Sequence, residues 1–241
     1  MYRERSARIV PGAVLWSWRT EGDAGTGRVL PDGCMDLVWT GGALLVAGPD
    51  TAAQLVERVP GESSYGLRFA PGAAAAVLGV SARELRDRRV PLADVWSGAA
   101  ARVAGERLAE ADARASVPEA LERLVRERAA GSPGDPVRDL LRDPVRRGVL
   151  DGLRRGLAVA GLSVELGLSE RQLRRRCLDL FGYGPKVLDR VLRLERALAA
   201  ARGGEAFARV AAGAGYADQA HLAREVRALA GVPLTELLAG G

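Results

Sequence analysis

The 241-residue chain has one histidine, His221, two cysteines, Cys34 and Cys177, and one lysine, Lys186. With no imidazole upstream of His221, the preceding residues offer no Ser/His/Asp or Cys/His nucleophilic arrangement. Two cysteines, one in each half, give neither a disulfide framework nor a zinc-ligand spacing, so reduced thiols and no metal are expected. Gly25-Thr26-Gly27 lacks the remaining glycine and the helix of a dinucleotide loop. No apolar run approaches the ~18 residues of a membrane span. The start, Met1-Tyr2-Arg3-Glu4-Arg5, leads to a segment broken by Pro11 and Gly12 without a small-residue cleavage site, a poor signal peptide. The expectation is a cytoplasmic protein with no catalytic residues, no cofactor and no membrane partner.

What is present is positive charge. The formal net charge is +5 and the isoelectric point about 9.8, as suits a protein that approaches polyanions. Every one of the 35 basic residues except Lys186 is arginine. That usage, with abundant Ala and Gly, looks like translation from a GC-rich bacterial genome and is not by itself an adaptation to DNA. The length suffices for two domains.

The strongest signal is a repeat. Gly167-Leu168-Ser169 and Gly215-Tyr216-Ala217 each open a stretch that closes at a proline, and Gly167/Gly215 and Pro185/Pro233 are both 48 residues apart. Such a period marks a duplicated supersecondary unit. Each copy places a short apolar helix before its Gly, a turn, and a longer helix with an apolar stripe and a cationic face, the layout of a helix-turn-helix whose second helix enters the major groove. The units are expected at about 157–181 and 206–230.

In the first copy Ser169 is a natural N-cap, and Leu173, Cys177 and Leu180 recur at helical spacing to face inward. Arg171, Arg174 and Arg175 then share the other side, where guanidinium groups can fork onto guanine or phosphate. In the second, Asp218 can cap and Leu222, Val226 and Leu229 form the stripe, leaving Gln219, Ala220, His221 and Arg224 for the groove. Gln suits adenine, Ala a thymine methyl and Arg guanine. A charge cluster is usually a solvated helix face, but two copies with matched boundaries favour DNA. Residues 185–202 read as one linking helix with Pro at its first position. At ~1.5 Å per residue it spans about 27 Å, close to the roughly 34 Å between major-groove segments on one face of DNA.

These residues resemble the AraC/XylS family of transcriptional regulators. The resemblance rests on Gly167-Leu168-Ser169-Glu170-Arg171-Gln172-Leu173-Arg174-Arg175, Gly182-Tyr183-Gly184-Pro185, Arg193-Leu194-Glu195-Arg196-Ala197-Leu198, Val210-Ala211, Gly215-Tyr216-Ala217-Asp218-Gln219-Ala220-His221-Leu222 and Gly231-Val232-Pro233. It implies two helix-turn-helix units joined by a long helix. The family's base-reading positions fall on Arg171, Arg174 and Arg175, and on Gln219, Ala220, His221 and Arg224. Three positions depart from the pattern: Ser163 where the family usually has Ala, Cys177 in place of a common aromatic, and Leu237-Leu238 in place of Tyr-Arg.

A breaker-rich segment, Gly131-Ser132-Pro133-Gly134-Asp135-Pro136, separates an N-terminal domain, 1–132, from a DNA-binding domain, 133–241. Upstream, residues 14–18, 35–39, 44–47, 55–59 and 65–69 read as strands between Gly, Pro and Asp turns. Helical patterns come next, with capping boxes at Ser81/Glu84 and Ser116/Glu119 and a helix opening at Ser97. The expected fold is an α+β N-terminal domain, a small, mainly antiparallel sheet followed by helices, plus an all-α C-terminal domain. Many AraC-type proteins carry a cupin-like barrel upstream, for which these strands are too few. The N-terminal half also resembles a compact branch of the family through Leu30-Pro31-Asp32-Gly33-Cys34-Met35-Asp36-Leu37-Val38-Trp39, Ala47-Gly48-Pro49-Asp50-Thr51 and Gly66-Leu67-Arg68-Phe69-Ala70-Pro71-Gly72.

Cys34, Asp36, Trp39 and Arg68 form the candidate effector site. A thiol between Asp32 and Asp36 could bind a soft cation or act as a redox trigger, but neighbouring carboxylates raise a thiol's pKa. The plainer expectation is an Asp32-Gly33 turn with Cys34 entering a strand as a small hydrophobe. Trp16, Trp18, Trp39 and Trp96 either line a pocket or form the core of the sheet. The expected function is a sequence-specific regulator, activator or repressor, modulated through its N-terminal domain. Its expected partners are double-stranded DNA, a small-molecule effector, a second copy of the chain and RNA polymerase. The rivals are a DNA-repair or regulatory protein using Cys34 as an alkyl, redox or metal-responsive thiol, and a nonspecific architectural DNA binder.

Overall fold

A computed structural model describes residues 1–131 and 135–239, so the boundary expected at 132/133 lies outside the described residues. In the first half are strands β1 (Tyr2–Ser6), β2 (Val14–Arg19), β3 (Gly25–Val29), β4 (Met35–Thr40), β5 (Ala43–Ala47), β6 (Gln54–Arg58), β7 (Ser63–Phe69) and β8 (Arg89–Pro91), with helices α1 (Ala75–Leu78), α2 (Gly98–Ala113) and α3 (Val117–Ala130). The second half is helical: α4 (Pro136–Arg142), α5 (Pro144–Arg154), α6 (Val159–Leu166), α7 (Glu170–Phe181), α8 (Pro185–Arg202), α9 (Phe207–Ala214), α10 (Gln219–Ala230) and α11 (Leu234–Ala239).

The strands form a six-stranded antiparallel sheet, β1-β2-β7-β4-β5-β8, and a separate antiparallel pair, β3 and β6. Alternation along β4 decides its two faces. Met35, Leu37 and Trp39 are buried with Leu15, Leu67 and Phe69 against Leu108 of α2 and Leu121 and Val125 of α3. Asp36, Val38 and Thr40 point to the opposite face, where Trp16 and Trp18 also lie and Arg58 of β6 stacks over Trp18 at 4.3 Å.

Strands β1, β3 and β8 go beyond the sequence expectation: β1 and β8 enlarge the main sheet, and β3 pairs with β6 apart from it. The Ser81/Glu84 capping box forms on a 3-10 turn, Ala82–Glu84. At the start of α3 the expected box does not form. The Ser116 hydroxyl donates to the Ala111 carbonyl at 3.3 Å, and Glu119 pairs with Arg5 of β1 at 2.7 Å. Ser97 caps α2 by accepting from the Ala100 N–H at 3.4 Å.

The helical half holds two cores. One gathers Val149, Leu153, Leu162, Leu173, Phe181 and Leu188, the other Leu194, Leu198, Val210, Leu222, Val226 and Leu229, so α8 contributes to both. Helix α4 straddles the halves, with Val137 in the N-terminal core and Leu140 against the first helical one. Between the copies, α6 and α9 start 48 residues apart but α7 and α10 start 49 apart. The turn after Gly215 is one residue longer than that after Gly167, and the connection from Gly231 to Pro233 is one shorter than that from Gly182 to Pro185.

Candidate nucleic-acid interface

Helix α7 begins at a capping box. The Ser169 hydroxyl accepts from the Gln172 N–H at 3.3 Å while the Gln172 side chain accepts from the Ser169 N–H at 2.9 Å. Leu173, Cys177, Leu180 and Phe181 are buried, and burial pushes the Cys177 thiol up to about 12. Arg171, Arg174 and Arg175 stand exposed on the other side, and among the described residues none of them is ion-paired. The adjacent Arg176 is tied to Asp143 at 3.0 Å. Three cations with no acidic partner on one face of a helix retain their full attraction for a polyanion.

Helix α10 is capped by Asp218, whose carboxylate accepts from the His221 N–H at 2.6 Å. Leu222, Val226 and Leu229 are buried, and Gln219, Ala220 and Arg224 are exposed. His221 differs from these three. Its Nδ1 accepts from the Ala217 N–H at 3.3 Å and its ring meets Tyr216 edge-on, 5.3 Å between centroids, so the imidazole braces the turn. Arg193 and Arg196 of α8 donate to the Gly215 and Ala214 carbonyls at 3.2 and 3.4 Å, satisfying orphan acceptors at the end of α9.

In the N-terminal half the structure brings together three of the four candidate effector residues. Asp36 and Arg68 are cross-strand partners, and Arg68 Nε lies 3.2 Å from both Asp36 and Asp32. Burial works against the Arg68 charge, but Asp36 and Asp32 outweigh it and hold its pKa above the usual value. The Asp32-Gly33 turn forms, with Gly33 at φ 80° and the Cys34 N–H donating to Asp32 Oδ1 at 2.8 Å. Burial, then Asp32 and Asp36, push the Cys34 thiol well up, in the direction that favours the protonated thiol. Trp39 does not join this group. Period-2 alternation turns it into the core, where its indole N–H donates to Asp112 at 3.0 Å.

Sequence reading missed Arg28 and Arg146. The Arg28 guanidinium donates to the Ala230 carbonyl at the end of α10, and Arg146 Nε donates to the Pro71 carbonyl across the two halves, at 2.7 and 2.6 Å. No local pattern marks either residue, because both partners are remote in sequence.

Paired helix-turn-helix units, each with a buried stripe and an exposed polar face, define a DNA-binding transcription regulator. Residues 162–240 match the family model described as a helix-turn-helix domain, and residues 13–91 match a domain of unknown function, DUF6597. The chain thus joins an AraC-type helix-turn-helix domain to this second domain. No curated protein sequence matches it. Among solved structures, ToxT from Vibrio cholerae O395 is similar with a TM-score of 0.50 at 10% identity, over 99% of this chain and 97% of that one. An apo ToxT variant from Vibrio cholerae strain SCE256 gives 0.50 at 12% identity, over 95% and 97%. At such identities the likeness speaks for the fold. Among the described residues no helix is long and apolar enough to cross a membrane.

Proposed function

We propose that this regulator reads sequence with both α7 and α10, each in one of two successive major-groove segments on one face of a duplex. The observation that carries the reading is the pair of exposed faces. Arg171, Arg174 and Arg175 on α7, and Gln219, Ala220 and Arg224 on α10, are among the solvent-facing residues of helices whose other sides are buried. Arg175 and Arg224 hold equivalent places, each five residues beyond the first of its helix. In this reading His221 holds the turn and Asp218 starts the helix, so neither is a base reader.

The N-terminal domain modulates the reading. Supporting this, the two halves share half-buried polar contacts, Arg146 to Pro71 and Arg28 to Ala230 among them. The DNA-binding domain runs from the region of α4 to the end of the chain.

The test is selection of duplexes from random and genomic DNA on purified full-length protein, followed by competition with scrambled sequence. Two recurring half-sites separated by about one helical turn are expected. Equal binding of selected and scrambled DNA would leave a nonspecific architectural binder instead.

A further inference from the structure

The reading helices are held at both ends. Their first turns are fixed by their own units, through Ser169 and Asp218. Their last turns are held by the N-terminal domain. At the end of α10 the Leu229 and Ala230 carbonyls have no partner within the helix. The Ala53 N–H and the Arg28 guanidinium donate to them, both at 2.7 Å, and the cation also complements the negative end of the helix dipole. At the end of α7, Ser81 donates to Asp179 at 3.1 Å, and the chain turns at Gly182, φ 81°. There a Cβ would stand 2.4 Å from Pro49.

One short segment reaches both units. Arg28 holds the end of α10 and Leu30 packs against the core of the second unit. Three residues later, Gly33 approaches the first unit. A Cβ built there would lie 3.5 Å from the Tyr183 hydroxyl, just past the end of α7, and 3.8 Å from Leu188 of α8. Asp32, held by Arg68, fixes this turn to the six-stranded sheet. Segment 28–33 therefore lies between the two helix-turn-helix units and is anchored behind to a rigid sheet.

We propose that segment 28–33 is a built-in spacer that sets the distance and angle between α7 and α10, with Arg28 as its positioning residue. Through it the N-terminal domain determines which separation of half-sites the protein accepts. The inference rests on the paired reading by α7 and α10 and adds what fixes their relation. A helix joined to its neighbour only through α8 could swing about the Gly203-Gly204 connection; one whose far end is bonded to the β3–β6 pair and the residue before it cannot.

The experiment uses the full chain and duplexes recovered by selection on the wild type, rebuilt with one to three base pairs added or removed between the half-sites. Wild type is expected to bind one spacing best. Arg28→Ala should bind the native spacing less well and shifted spacings relatively better. Its discrimination should fall about tenfold, the scale of one lost charge-assisted hydrogen bond. Arg28→Lys, which can still donate to Ala230, should recover most of it. Without DNA, hydrogen exchange at the Ala53 amide should quicken in Arg28→Ala and slow again in Arg28→Lys. A wild type that ignores spacing, with the Ala53 response intact, would sink paired reading and leave the contact standing. Unchanged discrimination in Arg28→Ala, or an equal loss at every spacing, would overturn the spacer while paired reading survives. Should Arg28→Ala not fold, Arg28→Met, which keeps a long apolar stem but no donor for Ala230, is expected to show the same loss of discrimination.

Discussion

In the first helix-turn-helix unit the exposed face is three arginines and the start of the reading helix is a reciprocal Ser169/Gln172 box. In the second the face mixes Gln219, Ala220 and Arg224, and the start is Asp218 with His221 braced on Tyr216. Their surroundings differ as well. The end of α7 abuts Pro49, Gly72 and Ala82, whereas the end of α10 meets the N-terminal domain through hydrogen bonds and the long side chain of Arg28. One topology thus carries two chemistries: a cationic face on a rigidly packed helix, and a mixed face on a helix held by polar contacts.

The largest expected difference is at the two glycine caps. Both adopt a left-handed conformation, which costs a non-glycine residue about 1–2 kcal/mol. Gly182→Ala adds collision with Pro49 at 2.4 Å and should lose about 2–4 kcal/mol in all. Gly231→Ala meets only the end of Arg28, at 3.1 Å, and should lose about 1–2 kcal/mol. Urea unfolding of both variants measures this, and equal losses would show that the two ends are packed alike.

Arg175→Ala and Arg224→Ala compare the reading faces directly. Each should cost about 1–3 kcal/mol on selected DNA and relax preference at different bases, with the melting temperature unchanged. A loss that is the same on random DNA would assign that arginine to phosphate alone.

A buried hydroxyl separates the units next. Ser163 is 7% exposed and its Oγ has no partner among the described residues, while the equivalent Ala211 is 1% exposed. Ser163→Ala should stabilise by about 1 kcal/mol, and Ala211→Ser should destabilise by about 1–3 kcal/mol. Thermal melts of the two variants should move in opposite directions.

The smallest effect concerns α8, which joins the units. Burial, with Asp32 adding to it, raises the Glu195 carboxyl above its ordinary range. The folded chain therefore holds that proton more tightly than the unfolded chain, and the ionised side chain is a slight penalty at neutral pH. Glu195→Gln should be more stable at pH 7, by less than about 1 kcal/mol because water screens a side chain that keeps much of its exposure. The advantage should fade toward pH ~4, where both side chains are neutral. A gain that grows on acidification would contradict the sign.

The helical half was legible because its signals are local. Gly167, Gly182, Gly215 and Gly231 end helices, Pro185 starts one, and Leu173/Cys177/Leu180 and Leu222/Val226/Leu229 mark buried stripes. The strands that escaped notice lack such signals. Tyr2–Ser6 is a polar edge strand, Gly25–Val29 contains two glycines, and Arg89–Pro91 has three residues. Trp39 could have been separated from Asp36 by alternation alone, since odd and even positions of a strand face opposite ways. Arg28, Leu30 and Ser81 were beyond reach, because their partners lie roughly a hundred to two hundred positions away and nothing in the neighbouring residues encodes that meeting.

The uneven offset of the repeats bears on how such a reader can change. One residue added to a turn rotates the downstream side chains by about 100° around a helix axis. Here the addition after Gly215 is cancelled before Pro233, so nothing downstream of that proline is displaced relative to the first copy. The stretch between those two landmarks behaves as a cassette, and its reading surface can be re-aimed or exchanged while the flanking helices keep their seats. Grafting residues 216–232 from a regulator with another operator is the alteration of specificity this architecture tolerates best, provided the graft keeps carbonyls where Ala53 and Arg28 can reach them.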